Sequence, residues 1–223
     1  MKHWFERNVI CMAVLFVAAG CQIQHPKPSI LDNPVCAPPC CQNTTPGMTT
    51  HKGFLDSIKS YQYLDQSSIH DYEASWQEFT DLISGRIKFS PDSVTVFDTY
   101  FLDDKVAAIS FQGDWDLTLG QAQNELGEPT HILVVKEQGE EFVELIIQTK
   151  GIAFGYSTLD RPSWWRSRID PDIRISSIDF YSPDNYQQIL DAGLLSYGVL
   201  DATETAERMQ PWKGYGDLSQ YQK

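Results

Sequence analysis

Alternating apolar and polar residues predict β-strands in two parts of the chain. The later part contains four segments rich in β-branched and aromatic residues, namely 132–135, 142–148, 152–157 and 174–181. The earlier part contains three, namely 85–89, 94–102 and 106–111. Asp103 and Asp104 separate the last two and predict a hairpin turn, as is usual in antiparallel sheets. Residues 72–83 fit either a helix or an edge strand, and both alternatives stay open.

Apolar residues at helical spacing precede each group of strands. They are Phe54, Leu55 and Ile58 in the first segment and Ala122 and Leu126 in the second. Thr49 and Thr118 are the predicted N-caps, because a threonine hydroxyl accepts a hydrogen bond from a free amide at a helix start. We expect the second helix to end at Gly127, two residues before Pro129.

A third helix is predicted over residues 183–192. Pro183 suits its first turn, and Gly193 follows its last residue. The remaining residues predict an irregular tail. We expect Trp212 and Tyr215 in that tail to pack on the domain, because they would otherwise expose large apolar surfaces.

Two landmarks recur at one interval along the chain. Thr49 and Thr118 are 69 residues apart, and the same interval separates the similar segments 106–111 and 175–180. A tandem duplication explains both landmarks, and chance similarity is the alternative. We therefore predict an α+β fold of two tandem units, each with a short N-terminal helix and an antiparallel sheet of about four strands, plus a C-terminal helix. The predicted regions are residues 48–113, 114–182 and 183–223.

The second unit contains Thr118, Ala122, Leu126, Gly127 and Pro129 in the pattern Thr-x-x-x-Ala-x-x-x-Leu-Gly-x-Pro. This pattern resembles the small lipoprotein modules of the SmpA/OmlA type. Tandem copies of the same kind of unit make up the β-lactamase-inhibitor-protein fold. The first unit lacks the Leu-Gly-x-Pro ending. The resemblance implies a helix-plus-sheet architecture and a family whose members bind or scaffold proteins without turning over substrates.

The first 20 residues predict a signal peptide. Lys2 and Arg7 precede an apolar run over residues 9–19, which ends in small residues before Cys21. This run is too short for a membrane-spanning helix, which needs about 20 apolar residues. We therefore expect it to be removed.

The residues around the predicted cleavage point resemble the bacterial lipobox. Ala19, Gly20 and Cys21 match that pattern, in which the cysteine is acylated and becomes the first mature residue, whereas Ala18 stands where leucine is usual. An ordinary secretory signal is the alternative. The resemblance implies attachment of the chain to a membrane on the exported side through lipid on Cys21. Gln22 after the cysteine implies the outer membrane where the source has one.

Residues 21–47 predict a lipidated, proline-rich stalk, because such chains are semi-rigid and extended. Its cysteines are disulfide candidates, because exported proteins meet oxidising conditions. A small loop from Cys36 to either Cys40 or Cys41 is favoured and leaves one thiol free. A metal site at these cysteines, completed by His25 or His51, is the alternative, although the spacing matches no common zinc pattern.

The mature chain is strongly acidic. Removal of the signal peptide lowers the number of Lys and Arg from 17 to 15 and of Asp and Glu from 30 to 29, which leaves a net charge of −14. Such a charge repels phosphate backbones and anionic head groups. We therefore expect no nucleic-acid partner and assign the membrane attachment to the lipid.

Residues with catalytic or metal-binding chemistry occur without the context such chemistry needs. Ser157 lacks the Gly-x-Ser-x-Gly pattern of a nucleophile elbow. His51, His70 and His131 are scattered. The paired aspartates lie at predicted turns and strand ends, where aspartate bonds its own backbone. They are Asp103 with Asp104, Asp114 with Asp116, and Asp170 with Asp172. We predict no catalytic residue, metal or cofactor.

The most promising binding feature is the connection between the predicted strands 152–157 and 174–181. It contains Trp164, Trp165, Arg166 and Arg168, and Trp and Arg are enriched at binding hot spots. The alternative is that the tryptophans fold back over their own sheet. The sequence thus predicts a non-catalytic envelope lipoprotein that binds or scaffolds a protein or glycan. A solute-capturing lipoprotein serving a transporter is the second hypothesis, and an envelope hydrolase is the third.

Overall fold

The protein combines short helices with a large antiparallel sheet, which confirms the predicted mixed class. The structure is a computed structural model that describes residues 39–41, 43–59, 64–72, 81–90, 93–114, 116–137, 140–158, 167–196 and 200–221. The signal peptide, Cys21, Cys36 and most of the predicted stalk lie outside these ranges. In the described part, no helix is both long and apolar enough to cross a membrane.

Four α-helices and eleven strands are described. The helices are α1 His51–Ile58, α2 Leu119–Leu126, α3 Tyr186–Asp191 and α4 Ala202–Arg208. The strands are β1 Leu64–Tyr72, β2 Asp81–Ser90, β3 Ser93–Leu102, β4 Lys105–Gly113, β5 His131–Glu137, β6 Glu140–Ile147, β7 Ile152–Ser157, β8 Arg168–Ile169, β9 Ser177–Tyr181, β10 Gln210–Pro211 and β11 Gly216–Asp217.

Nine strands form one antiparallel sheet in the order β1-β2-β3-β4-β9-β7-β6-β5-β10, and β8 pairs separately with β11. The strands of the earlier part of the chain therefore lie on one side of the sheet and those of the later part on the other. They meet where β4 pairs with β9. Ser110 lies opposite Asp179 at the centre of this pairing, with Ile109 opposite Phe180 on one side.

The sheet has two faces with different coverings. We call the side that carries α1, α2 and the C-terminal tail the first face. Its core includes Phe54, Phe97, Phe111, Leu126, Phe154 and Ile178. The second face carries α3 and α4, which pack over Leu133, Val135, Ile146 and Ala153 on the strands of the later part. Burial of both faces there explains why β5, β6 and β7 are so apolar.

The helix starts follow the expected chemistry, with one correction. Thr118 caps α2, and Gln121 bonds back to the Thr118 amide to complete a capping box. In the first helix Thr50 is the N-cap and accepts from the Gly53 amide, so the prediction of Thr49 is wrong by one residue. Thr49 lies in extended chain before the helix, where its carbonyl accepts a hydrogen bond from the Val106 amide.

The C-terminal part is more ordered than the sequence predicts. The predicted third helix is a 3₁₀ turn, Pro183–Asn185, followed by α3, and Gly193 ends it with φ +67°. The predicted irregular tail contains α4, whose N-cap Asp201 accepts from the Glu204 amide. Trp212 and Tyr215 pack against the core of the first face as expected.

The packed domain also begins earlier than residue 48. Cys41 and Thr44 are buried and exchange two backbone hydrogen bonds, and Pro46 is buried beside them. Cys41 belongs to the core of the first face. Residues 41–47, apart from the undescribed residue 42, therefore pack on the domain, and the proposed stalk must end before Cys41.

Gly151 offers a test of how tightly the sheet is packed. A Cβ there would lie 1.9 Å from the Tyr181 carbonyl oxygen, whereas a Cβ at Gly214 meets nothing within 4 Å, and both residues have positive φ. We expect Gly214→Ala to cost about 1 kcal/mol through backbone strain alone. Gly151→Ala should cost about 3 kcal/mol or more, because β9 must also move. Urea unfolding measures both, and equal losses would contradict the described packing.

Candidate functional site

A continuous row of polar residues crosses the earlier half of the second face. His70, Ser84, Asp98, Ser110 and Asp179 lie directly opposite one another on five neighbouring strands. Directly paired residues share a face, with Cβ atoms about 5 Å apart. The row continues through Ala153, Ile146 and His131. It therefore changes from polar to apolar where α3 and α4 cover the sheet.

Asp179 is the buried end of the polar row. Its side chain is only 7% exposed. Burial raises the pKa of the Asp179 carboxyl to about 7, and the charge of Asp98 raises it further, while a hydrogen bond from Ser110 opposes both. A buried carboxyl beside another acid is expected to keep its proton near neutral pH. Asp179 is therefore largely neutral below pH 7.

A second buried acid lies one row away. Glu144 on β6, which is 1% exposed, accepts a hydrogen bond from Ser177 on β9, with 3.2 Å between Glu144 Oε1 and Ser177 Oγ. Gly155 lies between them on β7. Because Gly155 has no side chain, the glutamate can reach across β7 to its partner.

Two tyrosines border these acids. Burial, and then the charges of Asp98 and Asp179, raise the pKa of Tyr100. Burial also raises the pKa of Tyr181, with further contributions from Tyr186, Glu144 and Asp179. Both phenols therefore stay protonated at neutral pH. The Tyr181 hydroxyl is buried and has no hydrogen-bond partner in the part of the chain that the structure describes.

The polar row does not form a nucleophile with its base. The Ser84 hydroxyl donates to Asp98 across 2.5 Å, whereas a catalytic triad needs an imidazole between serine and carboxylate. A substrate cannot reach the Asp179 carboxyl unless its neighbours move. Among the described residues, no group of three or more His, Cys, Asp or Glu side chains could hold a metal ion.

An open groove of about 370 Å³ lies at the exposed end of the row. Its lining is formed by Asp65, Ser67, Ser68, His70, Ser84, Gly85, Arg86 and Val96. A bulge in β1 shapes it, because the pairing with β2 shifts between Asp65 and His70. Within the bulge Ser68 Oγ accepts a hydrogen bond from the Arg86 amide in place of a backbone carbonyl. The groove thus lies on the part of the second face that α3 and α4 do not cover.

The structure describes only one of the four predicted binding residues. Trp164, Trp165 and Arg166 lie outside the described residues. Arg168 is exposed on β8, and its charge contributes to the lowered pKa of Asp217 after the hydrogen bonds from Ser219. Its neighbour Ile169 belongs to the core of the first face. Arg168 therefore is not part of the groove.

The histidines and paired aspartates have structural surroundings. The His51 ring meets the edge of Phe101 at 4.6 Å, and His70 lines the groove. Asp103 and Asp104 form the predicted hairpin turn with positive φ. Asp116 pairs with Arg174 at 3.2 Å, and the Asp172 amide donates to Asp170. Ser157 ends β7 as a half-buried residue.

The two described cysteines differ in state. Cys40 is disulfide-bonded, and its partner lies outside the described residues. Cys41 is instead a buried free thiol, and burial raises its pKa to about 12. Of the two alternatives for closing the loop, the structure therefore uses Cys40. The Cys41 thiol is inert because so little of it is ionised.

Sequence reasoning missed the buried acids. Asp179 alternates with Ile178 and Phe180, which predicts a side chain on the opposite face and, by default, in water. Only the covering of that face by later parts of the chain buries it. Glu144 between Val143 and Leu145 gives the same signal. A single polar residue inside an apolar strand was the available hint, and it did not distinguish a solvated position from a buried one.

The raised pKa of Asp179 predicts a pH-dependent stability. The native state holds this proton up to about pH 7, whereas the unfolded chain loses it near pH 4. The protein should therefore lose stability as pH rises from about 4 to 7, by roughly 2–4 kcal/mol. In Asp179→Asn this loss should vanish, so the variant's stability relative to wild type should rise with pH and level off above 7. Denaturant unfolding at several pH values measures it, with the exposed Asp114→Asn as control. Parallel pH profiles for Asp179→Asn and wild type would contradict the assignment.

Comparisons of the chain with family models, with curated proteins and with solved structures find no match.

Proposed function

We propose that this protein is a membrane-tethered, non-catalytic binding module of the cell envelope that holds its partner in the groove on the second face. The observation that supports this most is the exposure of the groove beside a sheet that is otherwise covered. Asp65, Ser67, His70, Arg86 and Val96 are all exposed there. An open, polar surface with defined hydrogen-bonding groups suits recognition of part of a larger molecule.

The same exposure weakens the alternative of solute capture. Small-molecule sites usually enclose most of the ligand and are lined mainly by apolar groups. Val96 is the only apolar side chain that lines this groove. A small solute would stay largely in water here, so a larger partner that continues beyond the groove is the better fit.

The absence of catalytic geometry in the described residues supports a binding role. The acids nearest to the groove are occupied by chain partners, since Asp98 accepts from Ser84 and Asp65 accepts from Ser67. Activation of a nucleophile needs a free base next to it. The envelope-hydrolase hypothesis therefore has no support from these residues.

We also infer that the sheet consists of two related units joined by a pseudo-twofold axis. Ser110 and Asp179 lie opposite each other and are 69 residues apart, the interval of the sequence repeat. Around them the pairing is reciprocal, since Ile109 faces Phe180 and Phe111 faces Ile178. Reciprocal pairing is what two equivalent strands related by a twofold axis would make.

The helix starts support the same relation. Thr50 forms a bridge with Lys105, and Thr118 forms one with Arg174. Lys105 and Arg174 are again 69 residues apart, whereas the caps are 68 apart. One residue of difference before the first helix accounts for the shift.

Membrane attachment is proposed to depend on Cys21. The chain is acidic, so electrostatic attraction to anionic lipid cannot hold it. We expect Cys21→Ser to release or mislocalise the protein, because the acyl chains can no longer be added. Membrane fractionation followed by immunoblotting measures this, and Cys11→Ser, within the predicted signal peptide, is the matched control. Unchanged fractionation of Cys21→Ser would contradict the proposed anchor.

The groove is tested by crosslinking from the native envelope. Val96 and Met48 are exposed apolar residues, at 41% and 75% exposure, and only Val96 lines the groove. We expect Val96→Arg to reduce the crosslinked partner at least tenfold by obstructing the groove, and Met48→Arg to leave it unchanged. A Trp164→Ala/Trp165→Ala variant tests the proposed aromatic loop separately. Identical partner profiles for Val96→Arg and wild type would exclude the groove.

A further inference from the structure

The hydroxyl groups of the groove are oriented by the chain itself. Ser67 Oγ donates to the Asp65 carboxylate at 2.6 Å, and Ser68 Oγ donates to the Asp65 carbonyl at 2.7 Å. Ser84 Oγ donates to Asp98 at 2.5 Å. A hydroxyl has one proton and two lone pairs. With each proton already committed, these serines can only accept hydrogen bonds from a ligand.

Arg86 is the cation of the groove. It lies directly opposite Asp65 in the β1–β2 pairing. The Asp65 Oδ1 atom is already bonded by the amide and hydroxyl of Ser67, and the salt bridges between described residues involve other side chains. An exposed guanidinium has up to five donors in a planar fork that matches a carboxylate. The groove therefore offers one anchor for an anion.

These two properties define the chemistry of a matching ligand. It must present a carboxylate to Arg86 and several donor groups to the serine oxygens. A sugar acid combines both on one ring, and its C–H face can contact Val96. Because most of the lining is exposed, a polymer of such sugars can continue past the groove.

Resting on the proposed binding function, we propose that the groove binds an acidic carbohydrate. The Arg86 guanidinium binds the carboxylate of a sugar acid, and the hydroxyl groups of the sugar donate to Ser67 and Ser84. Ser68 contributes less, because its oxygen already accepts from the Arg86 amide.

The test is a calorimetric titration of the full chain, lipidated and solubilised in detergent, with three probes. Trigalacturonate carries both groups, maltotriose only the hydroxyls, and succinate only carboxylates. Trigalacturonate should bind at least tenfold more tightly than either other probe, because only it meets both parts of the groove. Equal affinity for maltotriose or succinate, or no binding of trigalacturonate at millimolar concentration, would overturn the proposal.

Two variants tie binding to the groove. Arg86→Gln should weaken trigalacturonate binding at least tenfold, whereas Arg208→Gln, at an exposed arginine on α4, should not change it. Val96→Glu places a carboxylate directly opposite Arg86 and should compete with the ligand. Unchanged binding in Arg86→Gln would overturn the proposal. If trigalacturonate fails while the envelope crosslink still depends on Val96, only the ligand class is wrong; if both fail, so does the binding function.

Discussion

The pairing of β4 with β9 is the contact on which the rest of the structure depends. Five residue pairs across these strands, from Ala108 with Tyr181 to Gln112 with Ser177, join the earlier and later strands into one sheet. Both strands are buried on the first face, where Phe111 packs edge to face on Phe180 at 6.3 Å. Such cross-strand aromatic contacts add to the stability of a sheet. The junction therefore fixes both the continuity of the sheet and the position of the buried acid Asp179.

The second face takes its character from what covers it. The C-terminal helices cover the later strands, where Leu133, Ile146 and Ala153 are buried. The earlier strands are covered less, and Ser84 and Asp98 remain partly exposed there. The Ser84–Asp98 hydrogen bond links the groove to the polar row that ends at Asp179. The groove is consequently part of a polar system continuous with the interior of the sheet.

The sequence predicted elements whose signals are local. Residues 152–157 alternate strongly, and β7 has these bounds. Thr118 and Gln121 formed the expected capping geometry because it depends on neighbouring residues. By contrast, β1 was missed, because its Asp-Gln-Ser-Ser segment is polar and bulged and becomes a strand only by pairing with β2. Helix α4 was missed because its residues, Ala-Thr-Glu-Thr-Ala-Glu-Arg, carry no apolar stripe.

The candidate site was even less accessible from the sequence. Asp98, Ser110 and Asp179 are separated by tens of residues, and their alignment follows from the register of three strands. Arg86 is one of several arginines, and it is distinguished only by the bulge opposite it. The tryptophan-containing connection was the conspicuous local feature, and Arg168, its described end, lies away from the groove. Register and covering, both tertiary properties, therefore decide where the polar groups meet.

Native-state hydrogen exchange of the β4 and β9 amides tests the role of this junction most directly. If the pairing holds the two halves together as one cooperative unit, these amides should exchange only through global unfolding, with the same opening free energy as the amides of β3 and β6. Exchange of β4 and β9 through a lower-energy opening, while β3 and β6 remain protected, would contradict the account.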